Sequence, residues 1–236
     1  MVRMKLGLYH STHNVADGEV EYKNISIEGP NGIIRTSPEM GDSKEEENNQ
    51  QCTIDGHTGE CEMVDITCDA LAGNQIDWEC VFGPGALEEV HQRGGLFTTC
   101  PTGSKLEPCS RFIVEKEKER SEVKVQEGPE GFGFLKGEKY IFKYSVRPKE
   151  GMKVASRFTH LGQLKGSKNG YMVSGDPIYS LTANHHGLHV RFSNKESIED
   201  YVDGFSTPLS WEDATGEWVH VTITTVFGKS MKVCWS

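Results

Sequence analysis

Lys139-Tyr-Ile-Phe-Lys-Tyr-Ser-Val-Arg147 is the stretch that decides the fold class. Tyr140, Phe142, Tyr144 and Val146 fall on every second position, the repeat of a strand with one face buried. A helix would bring apolar residues back every three or four positions, and this run does not. The same alternation recurs on both sides. Towards the C-terminus it marks Val154–Thr159, Tyr179–Ala183, Leu188–Phe192 and Trp218–Val226, with Asn184-His-His-Gly187 and Thr215-Gly216 as turns between strands. Towards the N-terminus it marks Ser121–Val125, Glu19–Ile27 and Lys5–Tyr9. Ala86–Gln92 is the one stretch where a helix could form, and nothing requires one. Strands at this spacing predict an all-β chain, folded as a β-sandwich or jelly roll.

The chain has 236 residues, enough for one large domain with a real core. Its apolar runs are only a few residues long, whereas a membrane-crossing helix needs roughly 18–20, so a soluble protein with no membrane partner is expected. A net charge of −10 argues against nucleic acid as a partner. That charge is uneven. Thr36–Cys109 holds fifteen Asp and Glu against three Lys and Arg, while the rest holds twenty against twenty-two. The body of the chain is therefore mildly basic and suited to a polyanion.

Cysteine follows the acidity. Cys52, Cys61, Cys68, Cys80, Cys100 and Cys109 lie in the acidic stretch, and Cys234 lies outside it. Without a Cys-x-x-Cys pair these six read as a disulfide framework rather than a zinc site, which implies an extracellular location. The Asn24-Ile-Ser26 sequon agrees with that, although no signal peptide is visible in the chain. No Ca²⁺-loop spacing is present, and no cofactor is expected. The organisation predicted is residues 1–29 as strands completing the sandwich, 30–51 as a polar linker, 52–110 as an acidic, Cys-rich, loop-dominated insertion, and 111–236 as the main part of the domain.

Three patterns set polar side chains on one face of separate strands. In Arg120-Ser-Glu122-Val-Lys124, period two groups Arg120, Glu122 and Lys124 opposite Val123 and Val125. In Gly162-Gln-Leu-Lys-Gly166 it groups Gln163 with Lys165. In Lys5-Leu-Gly-Leu-Tyr9 it groups Lys5 with Tyr9, across a glycine that would let a ligand approach the backbone. Each alone is the wet face of a half-exposed strand. Three such faces on one concave sheet make a groove.

Together the three patterns resemble the alginate-lyase and heparin-lyase-I group of jelly-roll polysaccharide lyases, which have the concanavalin A-like sandwich. Those enzymes line one cleft with an Arg-x-Glu strand, a Gly-Gln-[Ile/Val]-His-Gly strand and a Lys-x-Gly-x-Tyr strand. The run Arg157-Phe-Thr-His-Leu-Gly-Gln-Leu-Lys165 is also similar to secreted fungal-type members of the superfamily. The resemblance covers residues 1–29 and 111–235, and the cysteine segment takes no part in it. It implies a carbon–oxygen lyase acting on a uronate-containing, anionic polysaccharide. The chemistry suits the residue types: β-elimination removes the C5 proton beside a carboxylate and protonates the O4 leaving group. Arg120 and Gln163 would neutralise the carboxylate. Tyr9 would carry protons, aided by the cations Lys5 and Lys165. Glu122 would orient Arg120, and Lys5, Glu122, Lys124 and Arg157 would bind substrate.

Two features depart from the family. Lys165 stands where histidine is usual, which turns attention to His160, but strand parity puts His160 on the core face with Val154 and Phe158 unless a bulge at Gly162 reverses it. The Lys-x-Gly-x-Tyr strand also opens the chain, whereas in the family it follows the other two motifs. Circular permutation, strand exchange within an oligomer or tandem array, and an imperfect gene model would each account for that order. The alternative function is a non-catalytic carbohydrate-binding jelly roll using Trp211, Trp218, Tyr171 and Tyr179 as sugar platforms. His185, His186 and His189 read as surface histidines.

Overall fold

Alternation of this kind buries one face of each strand, and two such sheets close on each other. The computed structural model describes residues 2–11, 16–29, 34–36, 51–54, 57–60, 65–67, 76, 78, 81, 87–90, 96–103, 107–125, 134, 137–166, 177–192, 209–226 and 230–235. In chain order the strands are β1 (Val2–His10), β2 (Gly18–Glu28), β3 (Ile34–Thr36), β4 (Gln51–Ile54), β5 (His57–Glu60), β6 (Asp65–Thr67), β7 (Leu87–Val90) and β8 (Leu96–Thr99). There follow β9 (Ser110–Val114), β10 (Arg120–Val125), β11 (Lys139–Pro148), β12 (Thr159–Gly166), β13 (Tyr179–Asn184) and β14 (Gly187–Phe192). One helical turn, α1 (Trp211–Ala214), precedes β15 (Val219–Val226) and β16 (Ser230–Trp235).

The chain is an all-β sandwich. Its first sheet has six antiparallel strands in the order β14-β13-β12-β1-β10-β7. The second runs β16-β15-β11-β2-β3-β6, with β9 also pairing β2 and β8 pairing β9; only β3 and β6 pair in parallel. Leu6, Leu8, Val123, Leu164 and Leu181 of the first sheet meet Val20, Ile27, Phe142, Val146, Val221 and Ile223 of the second in one core. Full burial of each such side chain contributes about 1.5–3 kcal/mol.

The ladder shifts register at two places that matter. Asn24, in the left-handed region at φ 53°, sits where β2 slips against β11 between Lys143 and Ser145. Asparagine tolerates that region better than most residues. In the first sheet, β12 carries an extra residue. His160 pairs with Thr182 and Gly162 with Leu181, so Leu161 stands between two pairs that are adjacent on β13. Leu161 is fully buried in the core, and the bare Cα of Gly162 leaves room there for the Tyr144 hydroxyl, 2.7 Å from where a Cβ would stand. Two consecutive inward positions reverse the parity of everything before them.

Several expectations are corrected. Val154–Thr159 is not a strand: β12 begins only at Thr159, whose hydroxyl accepts the Ala155 N–H at 2.9 Å, a local bond that replaces the ladder. Ala86–Gln92 contains a strand, β7, because pairing with β10 outweighs local composition. The cysteine segment contains β4 to β8, each of three or four residues, too short for a period to show. Of these β6, β7 and β8 join the two sheets. Cys100 and Cys109 are disulfide-bonded and Cys234 is free and exposed. The polar linker over 37–50, Tyr171 and the pairing of the other four cysteines lie outside the described residues.

Candidate functional site

β1 lies between β10 and β12, so the three motif strands are neighbours. The register then aligns their polar faces. Tyr9 stands opposite Arg120 on one side and His160 on the other. Lys5 stands opposite Lys124 and Gln163, Gly7 opposite Glu122, and Arg3 opposite Lys165. β13 and β14 extend the same face. Thr182 and His189 continue the row of His160, and Ser180 and Arg191 continue the row of Gln163. Arg3, Lys5, Arg120, Lys124, Lys165 and Arg191 hold register positions on this face, together with Glu122. Glu88 on β7 occupies the register position opposite Lys124.

Glu122 is the hub. Its side chain is 3% exposed, yet it crosses over β1 to accept from the Gln163 amide at 3.0 Å. It also pairs with the Lys5 ammonium at 3.5 Å and the Arg120 Nε at 3.3 Å. Gly7 stands opposite Glu122 with φ 137°, and the space expected there for a ligand is taken by the β10 backbone, the Ser121 carbonyl and the Glu122 Cα. Burial pushes the Lys5 ammonium below its usual value, and Glu122 opposes that shift.

Tyr9 is boxed on several sides. The Arg120 guanidinium lies over its ring at 4.0 Å, Phe158 meets it edge-on at 5.5 Å, and His160 is tilted to it at 5.8 Å. His160 stacks on Phe158 at 4.2 Å, and its Nδ1 lies 2.8 Å from the Thr182 hydroxyl, which in turn bonds Ser180. Burial, with the cations Arg191, Lys165 and Arg120 around it, lowers His160 to about 3, so its imidazole is neutral. The extra residue at Leu161 thus reverses the core position that simple parity assigned, and His160 joins the groove.

The remaining predicted residues divide. Arg120, Glu122, Lys124, Lys5, Tyr9, Gln163 and Lys165 share the face expected of them. Arg157 lies exposed in the connection before β12, and no bond among the described residues ties it to the groove. Of the described aromatic residues set out as sugar platforms, only Tyr179 is closed off by burial. Tyr179 is buried in the core, Trp218 has Lys23 and Arg147 over its ring, each at 4.6 Å, and the half-buried Trp211 donates to the Met152 carbonyl. His189 is a buried residue of the groove face rather than a surface one, whereas His185 and His186 are exposed at the β13–β14 turn. Sequence reasoning missed Ser180, Thr182 and Arg191. Their alternation with Leu181 and Val190 was visible, but nothing in the chain said that β13 would lie beside β12.

As for metals, Glu21 lies close to the Cys100 and Cys109 sulfurs, but the disulfide leaves those sulfurs no thiolate to offer. What this face offers instead is a row of cations around one neutral imidazole and one phenol, with Glu122, His160 and Gln163 themselves buried. Against known proteins, the chain matches no family model, no curated protein and no solved structure.

Proposed function

We propose that this chain is a jelly-roll polysaccharide lyase that cleaves a uronate-containing polysaccharide by β-elimination, outside the cell. The observation that carries the reading is the meeting of Arg120, Tyr9, Gln163 and His160 on three adjacent strands under a surplus of cations. In the proposed step, the C5–H bond breaks and its electron pair forms the C4=C5 double bond. The C4–O4 bond breaks with it, and the leaving oxygen takes a proton. Arg120, Lys5 and the Gln163 amide neutralise the uronate carboxylate and so stabilise the charge that develops beside it. Tyr9 and the neutral His160 are the two proton carriers, 5.8 Å apart between ring centres. Lys165 keeps a binding role, because His160 supplies the imidazole that its position lacks. The Cys100–Cys109 disulfide agrees with an oxidising compartment.

The test is a polyuronate panel followed by the ultraviolet absorbance of the unsaturated product, with Tyr9→Phe beside the wild type. Turnover in the wild type and a loss of about 10²-fold or more in the variant, with binding retained, is the expected result. Turnover that survives the substitution removes Tyr9 from the mechanism. Binding without chain shortening in the wild type would make the groove a non-catalytic carbohydrate site.

A further inference from the structure

We propose that Tyr22, in the opposite sheet, is the positioning residue that holds the groove in its working register. Tyr22 lies on β2, is fully buried, and points its hydroxyl across the core at the underside of the first sheet. There its single O–H is shared between two backbone carbonyls, those of Gly7, at 3.0 Å, and of Leu161. These are the residue where β1 comes closest to the β10 backbone at Glu122 and the extra residue that turns His160 outward.

The placement has a physical reason. In a regular ladder the carbonyls lie in the plane of the sheet and face neighbouring strands. A carbonyl that can be reached from the opposite sheet has turned out of that ladder and would be an unsatisfied acceptor in an apolar core. Only a donor carried by the facing sheet can satisfy it, and Tyr22 is that donor. Burial pushes its phenol well above the usual range, so the proton stays in place. Tyr144 completes the floor: its hydroxyl packs on the bare Cα of Gly162 and bonds Tyr179 at 2.9 Å. Take away the Tyr22 hydroxyl, and the irregular β12 gains by reverting to ordinary parity, which withdraws His160 from Tyr9.

The experiment is Tyr22→Phe in histidine-labelled protein, read by magnetic resonance of the imidazoles. In the wild type the His160 ring protons carry ring-current shifts and Overhauser contacts from Phe158 and Tyr9, its stacked and tilted neighbours. The other groups facing it are Thr182, Arg191, Lys165, His189 and Arg120. In the variant those contacts are lost, and with them the bond from His10 to Thr159, which also precedes the inserted residue, while His220, bonded to Ser145 in the second sheet, keeps its signal. Contacts that persist overturn the proposal. So does their loss together with a changed His220 signal, which marks general loosening instead. If the variant does not fold, the wild-type Tyr22 hydroxyl proton decides: slow exchange with water supports the proposal, and exchange as fast as that of exposed phenols overturns it. No substrate enters either measurement, so the outcome is separate from that of the lyase assay.

Discussion

A Cβ on Gly7 would stand 2.3 Å from the Ser121 carbonyl oxygen and 2.6 Å from the Glu122 Cα, and both are backbone. The φ of 137° is a further obstacle to any side chain there. Gly7→Ala should therefore cost about 2–5 kcal/mol, measured by urea unfolding, and should separate Glu122 from Gln163. At this scale much of the groove was legible. Period two alone assigns Lys5, Tyr9, Arg120, Glu122, Lys124, Gln163 and Lys165 to polar faces. His160 was not, because one inserted residue inverts parity and the insertion is a property of pairing, not of local sequence. Gly7 was seen as an opening but not as a close approach to the β10 backbone, since the partner strand was unknown.

Elements show the same boundary between local and long-range information. β2, β10, β11, β13, β14 and β15 were readable as alternation, while β3 to β8 are three or four residues long and exist through their partners. Sheet order was illegible, since nothing within Lys5–Tyr9 names β10 and β12 as its flanks. The β8–β9 hairpin offers a test at this scale. Its Cys100–Cys109 bond closes a loop of sequence separation 9. Replacing both cysteines by serine should lower stability by about 2–3 kcal/mol through the freed unfolded chain, read from denaturation midpoints. The groove should be untouched, because that hairpin belongs to the second sheet.

For the molecule as a whole, two buried imidazoles set the response to acid. Burial lowers His160 to about 3 and His10 to about 4, against an ordinary value of 6.5. Between those values the unfolded chain binds more protons than the folded one, so stability is full above about pH 6.5 and falls as acid is added. Each histidine contributes up to about 1.4 kcal/mol per pH unit, which predicts a loss of about 2–4 kcal/mol between about pH 7 and about pH 5. Urea midpoints at the two pH values check this, and His10→Gln should remove about half of the slope. The central position of β1 has a consequence for synthesis. Its flanking strands begin at Arg120 and Thr159, whereas β2 has β3 close behind it. At ~5–20 residues per second, β1 waits roughly 6–20 s for β10 and longer for β12. Throughout that interval the strand that carries Tyr9 keeps both edges open, the longest wait for ladder partners of any central strand in the first sheet.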